Sequence, residues 1–185
     1  MPIPSGLFYK SDFLLKSEES ALLEQLKRLP LAPFQLRSVS SHRLVCHFGW
    51  DYQYEHWRLR PADPIPDFLL TLRDKAAALL HHPADPFEEA LINAYPRGAG
   101  IGWHRDAPMF GSPVIGISLG EACRLRFRRK TESGYELFEQ PLEPRSIYSL
   151  SGEARHIWQH TIPPVKAYRL SVTFRTIIKR PAVLA

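Results

Sequence analysis

The first part of the chain carries two amphipathic stretches whose apolar residues recur at helical spacing. In the first, two acidic residues follow Ser17 and a leucine stripe ends before Pro30, which predicts a helix with its acids at the positive end of the dipole. In the second, the same spacing predicts a helix over residues 66–80. We expect both helices to pack their apolar faces on the core.

From residue 90 onward the pattern changes to short apolar or alternating runs separated by Gly, Pro and charged turns. The pattern predicts strands over residues 90–95, 101–104, 114–119, 123–129, 135–139, 145–149, 156–161 and 168–177. Two helices followed by about eight short strands indicate an α+β, mainly β fold in which helices pack on a double-sheet core.

Residues 35–60 mix aromatic and basic side chains, and their partial alternation predicts a β-hairpin or ribbon. The mixed residues are Phe48, Trp50, Tyr52, Tyr54, Trp57, Arg37, Arg43, Arg58 and Arg60. Aromatics interleaved with arginine suit a surface that stacks on bases and neutralises phosphates. The alternative is a hairpin that packs its aromatics on the core and leaves its arginines in solvent.

Composition limits the class of protein. The chain has 185 residues, of which 44% are hydrophobic and 23% charged, as expected for one soluble domain spanning residues 1–185. No apolar run approaches the roughly 20 residues that span a bilayer, and the amino terminus does not resemble a signal peptide. Only two cysteines are present, without a Cys-x-x-Cys motif, so a disulfide scaffold or a thiolate zinc site is not expected. We therefore expect a cytoplasmic protein without a membrane partner, and a monomer.

A net charge of +5 is a mild argument for a polyanionic partner such as nucleic acid. More specific chemistry lies in the glycine-rich segment 93–106, which ends with His104 and Asp106 two positions apart. On an extended strand both side chains point to the same face. An imidazole and a carboxylate there supply two of the three ligands that hold non-haem iron(II) with open positions. A lone His-x-Asp pair also occurs as two ordinary surface residues, so its meaning depends on a third ligand.

Two downstream histidines, His156 and His160, are the candidates for that third ligand. His160 lies shortly before a second strand-like run, residues 168–175, and His156 stands four residues earlier. That run carries Arg169 and Arg175 at an even offset, so a regular strand places both guanidiniums on one face, where they can bind carboxylates. The alternative for these arginines is a solvated strand face.

Together these motifs resemble the AlkB family of Fe(II)/2-oxoglutarate dioxygenases. The elements in family order are Asn93-x-Tyr95, the glycine-rich turn, His104-x-Asp106, the distal His160 and Arg169-x5-Arg175. The resemblance covers about half of the chain. It implies a double-stranded β-helix, or jelly-roll, core over residues 90–178, preceded by packing helices and a nucleotide-recognition lid within residues 1–89.

The resemblance also implies a role for each site residue. The iron(II) ligands are His104, Asp106 and His160. Arg169 binds the C5 carboxylate of 2-oxoglutarate and Arg175 lies near its C1 carboxylate. Further hydrogen bonds to this cosubstrate come from Asn93, Tyr95, Tyr148 and Ser171, the last at a place where some members have Asn. The candidate substrate contacts are Arg43, Trp50, Tyr52 and Trp103.

The activity implied by the resemblance uses Fe(II), 2-oxoglutarate and O2 to hydroxylate a C–H bond. Applied to the N-methyl group of an alkylated base in single- or double-stranded DNA or RNA, it releases formaldehyde, succinate and CO2 and restores the base. A base inside a duplex must first be flipped out.

One departure concerns the substrate side. Pro108 stands two positions beyond Asp106, where the best-studied DNA-repair members carry an acid that helps to read the base, so base identity does not carry over. The run 124–128 places three arginines on one strand face, either as a phosphate-binding stripe or as a solvated face. An oxygenase acting on a protein or small molecule, and a non-catalytic cupin-like scaffold, are the alternatives. The scaffold has no need for a complete dicarboxylate site.

Overall fold

The computed structural model describes residues 2–36, 39–53 and 58–178. Its helices are α1 (Lys16–Leu26), α2 (Asp67–Leu79) and α3 (Gly152–His156). Its strands are β1 (Leu7–Lys10), β2 (Ala32–Leu36), β3 (Val39–Phe48), β4 (Trp50–Gln53), β5 (Arg58–Pro61), β6 (Glu89–Tyr95), β7 (Ile101–His104), β8 (Phe110–Gly120), β9 (Cys123–Thr131), β10 (Gly134–Leu142), β11 (Ile147–Leu150), β12 (Gln159–Ile162) and β13 (Arg169–Ile177). Over the described residues, no helix combines the length and apolar character needed to cross a bilayer.

The strands form two main antiparallel sheets. The larger has seven strands in the order β1-β11-β8-β13-β6-β3-β2, and the smaller has four in the order β10-β9-β12-β7. A separate hairpin pairs β4 with β5. The fold is therefore mainly β, with α1 and α2 in the amino-terminal half of the chain, as the residue pattern predicts.

The seven-stranded sheet separates two hydrophobic cores. On one side, α1 and α2 pack leucines and alanines against alternate residues of β6 and β13, including Ile92, Val172 and Phe174. On the other side, a second cluster that includes Phe127, Tyr148 and Trp158 fills the space toward the smaller sheet. Because successive side chains of a strand point to opposite faces, β6 and β13 serve both layers.

Two predicted boundaries change. The first helix begins at Lys16, because the Glu18 carboxylate accepts a hydrogen bond from the backbone N–H of Leu15 at 2.7 Å and so satisfies a free donor of the first turn. The prediction of a strand over residues 156–161 is wrong at its start. Residues 152–156 form the short helix α3, and the strand that follows is β12, Gln159–Ile162. Periodicity alone does not identify a single helical turn of this length.

The segment 35–60 contributes to two structures. Its first part, in β2 and β3, extends the seven-stranded sheet through the pairing of β3 with β6. Its second part is the β4–β5 hairpin. Three residues of the predicted lid, Arg37, Tyr54 and Trp57, lie outside the described residues.

Candidate functional site

Two neighbouring strands at the centre of the larger sheet carry polar residues on the same face. β13 pairs with β6 so that Arg169 lies opposite Tyr95, Ser171 opposite Asn93 and Arg175 opposite Glu89. The intervening residues of β13, Leu170, Val172 and Phe174, belong to the helix-side core. The period of two therefore directs the polar set toward the smaller sheet.

The smaller sheet contributes two histidines to the same space. β12 pairs with β7 so that His160 lies directly opposite His104, and their ring centroids are 4.3 Å apart. Asp106 follows the end of β7, and its Oδ2 lies 3.8 Å from Nε2 of His160. The three predicted iron ligands therefore converge at one place, whereas His156 is exposed on α3.

Both histidines are held in the neutral form that binds metals. Burial lowers the pKa of His104, and burial together with the neighbouring His104 lowers the pKa of His160 to about 3. The Nδ1 atom of His104 lies 2.8 Å from the Gly102 carbonyl oxygen. Because a carbonyl oxygen only accepts, this nitrogen carries the proton, and Nε2 keeps its lone pair for a ligand.

Asp106 is buried and ionised. Burial acts to raise the pKa of its carboxyl, but Arg175, His160 and His104 outweigh burial and hold that pKa below its ordinary value. The strongest contact joins Oδ1 of Asp106 to Nη2 of Arg175 at 2.7 Å. Arg175 in turn lies 3.4 Å from both carboxylate oxygens of the fully buried Glu89.

This donor set fits a divalent transition metal, since two imidazoles and a carboxylate are the ligands of a facial non-haem iron site. Among the described residues, no group of three or more His, Cys, Asp or Glu side chains has the spacing of a preformed metal site.

Arg169 is a fully buried cation for which the described residues supply no carboxylate partner. Its Nε and Nη2 atoms donate to the Ser118 hydroxyl at 3.3 and 3.2 Å, and its guanidinium lies 5.0 Å from the centroid of the Tyr95 ring. Its Nη1 has no hydrogen-bond partner among the described residues. A buried charge in this condition is costly unless an anion reaches it, so Arg169 fits the carboxylate of a ligand.

A cavity of about 40 Å³ connects most of the predicted site residues. Its polar lining consists of Arg43, Asn93, Tyr95, His104, Asp106, Tyr148, His160, Ser171, Thr173 and Arg175. Burial raises the pKa of Tyr148, which keeps its phenol protonated as a donor. The Tyr148 ring lies across Gly116, where any Cβ would overlap with it.

The four candidate substrate residues occupy different surroundings. Arg43 donates to Oδ1 of Asn93 at 2.7 Å and lines the cavity. The other three are not among its lining residues: Trp50 donates to Glu88 at 3.3 Å, Tyr52 is buried with its ring 5.9 Å from Phe110, and the Trp103 ring lies 4.6 Å from the Arg128 guanidinium.

Sequence reasoning missed two buried residues around the site. Glu89 stands at even offsets from Asn93 and Tyr95, so the alternation of β6 could have revealed it. Arg155 carries no such signal. From α3 it donates hydrogen bonds of 2.7 to 3.2 Å to the backbone carbonyl oxygens of Asp106, Ala107, Phe110 and Gly111. One guanidinium thus fixes the segment that leaves Asp106.

Several known proteins are similar in sequence to this chain. The family model for the 2OG-Fe(II) oxygenase superfamily matches residues 6–175. The chain is 29% identical over 171 residues to the tRNA (carboxymethyluridine(34)-5-O)-methyltransferase alkbh8 of Xenopus tropicalis, covering 89% of this chain and 26% of that protein. It is 27% identical over 152 residues to the alpha-ketoglutarate-dependent dioxygenase AlkB of Escherichia coli, covering 72% of this chain and 69% of that protein. The chain thus spans about a quarter of the alkbh8 protein.

The fold also matches a solved structure. The structure of OsALKBH1 superposes with a TM-score of 0.74 at 15% identity, covering 95% of this chain and 98% of that one. The likeness supports the predicted double-stranded β-helix fold, and the relatives confirm the predicted resemblance to the AlkB family.

Proposed function

This chain belongs to the 2OG-Fe(II) oxygenase superfamily, and from that premise we propose that it oxidatively demethylates N-alkylated bases in DNA or RNA. The cofactor is Fe(II), the cosubstrates are 2-oxoglutarate and O2, and the products are formaldehyde, succinate and CO2 beside the restored base. The observation that carries the proposal is the buried Arg169, a cation for which the described residues supply no carboxylate, on the same face of β13 as Arg175, which contacts the ionised Asp106 at 2.7 Å.

In this proposal His104, Asp106 and His160 hold the iron. Arg169 binds the distal carboxylate of 2-oxoglutarate, with Tyr95 and Tyr148 as further donors. Asn93 and Ser171 lie opposite each other on β6 and β13 and offer polar groups between these two parts of the site. Arg175 orients Asp106 through their 2.7 Å contact and adds positive charge for the C1 carboxylate.

The bound iron, cosubstrate and oxygen supply the oxidation that converts a substrate C–H bond to C–OH. The protein positions the target carbon, excludes water and keeps its histidines unprotonated. When that carbon is an N-methyl group, the hydroxylated product is a hemiaminal, which breaks its C–N bond to release formaldehyde.

Entry of 2-oxoglutarate requires the cavity to widen, since about 40 Å³ holds only a few water molecules. The Arg43 side chain is the natural group to move, because it lines the cavity from β3 and its hydrogen bond to Asn93 occupies a donor-acceptor site of the cosubstrate pocket. After this movement the Arg43 guanidinium can contact an anionic substrate.

A nucleic-acid substrate is supported by the net charge of +5 and by the names of the relatives, one a tRNA-modifying protein and one AlkB. The second candidate is a protein or small-molecule substrate. It is favoured by Pro108 in place of an acid and by the packing of Tyr52 against Phe110 instead of into the cavity.

The test is anaerobic loading with Fe(II), followed by oxygen exposure with single-stranded DNA or RNA that contains 1-methyladenine or 3-methylcytosine. Formaldehyde and succinate are measured together, with unmethylated strands and omission of 2-oxoglutarate as controls. Formaldehyde that requires both the methyl group and 2-oxoglutarate supports base demethylation. Succinate without formaldehyde directs the search to the second candidate, and a protein that binds iron but forms neither product contradicts the oxygenase assignment.

A further inference from the structure

The outer face of the four-stranded sheet carries a row of aromatic and basic side chains. Along β9, Leu125 and Phe127 are buried, whereas Arg124 and Arg126 are exposed and Arg128 is half-buried, so the arginines alternate to the outside. Lys130 continues the same register and is exposed. With two residues per repeat, residues 124–130 span about 20 Å.

The centre of this face is a stack around Arg128. Its guanidinium lies 4.6 Å from the centroid of Trp103 on β7 and 4.8 Å from that of Tyr135 on β10. Its Nε donates to the side chain of Gln159 on β12 at 2.8 Å. All four strands of the sheet thus contribute one side chain to the stack. The Tyr135 side chain is 55% exposed, so one partner of Arg128 is open to solvent.

The charge of this face is positive on balance, although Glu121, Glu139 and Glu143 line the same groove as Arg124 and Arg126. The outward positions of β9 hold four cations, Arg124, Arg126, Arg128 and Lys130, and across them β10 supplies one carboxylate, Glu139. Glu139 lies 3.3 Å from Arg124 and 3.5 Å from Arg126, but these side chains are 71% and 45% exposed. Ion pairs this exposed contribute little and yield readily to another anion.

We propose that this outer face, defined by Trp103, Arg124, Arg126, Arg128, Lys130 and Tyr135, binds a single-stranded nucleic-acid segment that flanks the target base. A base stacks on Tyr135 beside the Arg128 guanidinium, and phosphates contact Arg124, Arg126 and Lys130. Over 20 Å one strand of a stacked helix places about six phosphates. The proposal rests on the proposed function for its choice of a nucleic-acid partner.

The position of the face connects it to the candidate active site. Trp103 directly precedes His104 in β7, and Gln159 directly precedes His160 in β12. A nucleic-acid segment bound here lies on the side of β7 and β12 opposite to the candidate iron ligands His104 and His160. The face therefore adds affinity for polymer substrates and none for a methylated base alone.

The test uses fluorescence anisotropy with labelled, unmethylated single-stranded DNA and RNA 15-mers over a range of salt concentrations. The Arg126→Ala/Lys130→Ala variant should weaken binding at least tenfold at low salt. Its slope of log Kd against log salt should fall by about 1.4, because each lost phosphate contact removes about 0.7. The matched control, Lys27→Ala/Arg28→Ala, removes two exposed charges from the end of α1 and should retain the wild-type slope.

The aromatic contact is tested separately. Tyr135→Ala should weaken binding at least fivefold without a change in slope, and Tyr135→Phe should restore it, because stacking carries no counterion release. The proposal is overturned if both double variants lose the same affinity for the 15-mers, or if Tyr135→Ala keeps the wild-type Kd. It is also overturned if poly-glutamate of matched charge competes as well as the nucleic acid does. A wild-type protein that does not bind the 15-mers overturns it as well.

Failure here and failure of the proposed function are distinguishable. A methylated trinucleotide is too short to reach the outer face. Its rate of demethylation should therefore be unchanged in all these variants. If the trinucleotide is demethylated while 15-mer binding ignores the substitutions, the surface is wrong and the activity stands. If the 15-mer binding depends on the surface while no methylated substrate turns over, the surface stands and the activity is wrong.

Discussion

The two faces of the nine-residue strand β13 carry opposite kinds of side chain, apolar on one and polar or charged on the other. Toward α1 and α2 it presents Leu170, Val172 and Phe174, which are at most 1% exposed and contact apolar side chains. Toward the smaller sheet it presents Arg169 and Arg175 with hydroxyl residues between them, which are also buried but are charged or polar.

This difference separates stability from chemistry along a single strand. On the apolar face, free energy comes from area removed from water, so side chains of similar volume are interchangeable. On the polar face, each group depends on a particular partner, and burial acts against the charges. Substitutions on the two faces should therefore change different measurable quantities.

The largest effect should come from the third candidate iron ligand. We expect His160→Ala to abolish metal-dependent succinate formation and to weaken Fe(II) binding below detection, because the site keeps only two of its three ligands. His156→Ala is the matched control, since this exposed histidine on α3 does not line the cavity. Loss of activity in His156→Ala with retention in His160→Ala reverses the assignment.

The next largest effect is expected at Arg169, which we compare with its neighbour Leu170 on the opposite face of β13. Arg169→Met should raise the KM for 2-oxoglutarate roughly 100-fold, since truncating one partner of a buried charge pair costs about 2–5 kcal/mol in binding. Its free energy of unfolding should stay the same or rise, because a buried cation is removed.

Leu170→Ala is the reciprocal of that experiment. It should lower the free energy of unfolding by about 2–5 kcal/mol through loss of core volume, while the KM of the folded protein stays near wild type. Chemical denaturation and steady-state kinetics on both variants give the comparison. A KM change in Leu170→Ala as large as that in Arg169→Met shows that the faces are not independent.

A smaller effect is expected at Arg155, which acts through the backbone beside Asp106. Arg155→Ala should weaken Fe(II) or Co(II) binding about 10- to 100-fold, the range for groups that orient metal ligands. Arg155→Lys should recover part of the affinity. Arg105→Ala is the control, because this exposed arginine also donates to backbone carbonyl oxygens, those of His156 and Ile157. The metal affinity is measured by calorimetric titration. Equal affinities for Arg155→Ala and Arg105→Ala would contradict the role of Arg155.

The smallest effect is on the pH dependence of stability in the metal-free protein. His160 has a folded pKa of about 3 and an ordinary value of 6.5, so below pH 6.5 the unfolded chain takes up a proton that the folded chain does not. Its contribution to stability is complete above pH 6.5 and is lost as pH falls toward 3. We expect a loss of about 1 kcal/mol between pH 7 and pH 5.5.

The measurement is urea unfolding at the two pH values. The His160→Ala variant should show a weaker pH dependence than wild type, and His156→Ala should behave as wild type does. If the stability of His160→Ala depends on pH as strongly as that of wild type, other groups cause the acid sensitivity.

Much of the site could be predicted because it lies on regular strands. The His-x-Asp spacing kept Asp106 near His104, although Asp106 lies beyond the end of β7. The even offset between Arg169 and Arg175 gave their shared face on β13. Strand periodicity is a local property, and these side chains inherit it directly. Whether they hold iron and 2-oxoglutarate stays a prediction.

The remainder depends on long-range contacts that no local pattern encodes. Arg155 donates to carbonyl oxygens 44 to 49 residues earlier in the chain, and backbone acceptors leave no trace in side-chain identity. Trp103 and Tyr135 meet through Arg128 only because β7, β12, β9 and β10 are adjacent in one sheet. The packing of Tyr52 on Phe110 likewise follows from tertiary placement.

The order of strands in the larger sheet has a consequence for synthesis. β13 lies fourth of seven, between β8 and β6, yet it follows every other strand of the sheet in the chain. During translation the sheet therefore remains two separate halves until residues 169–177 leave the ribosome. Nascent chains stalled before this point should be protease-sensitive and should expose both the helix-side core and the edges of β6 and β8 to chaperones.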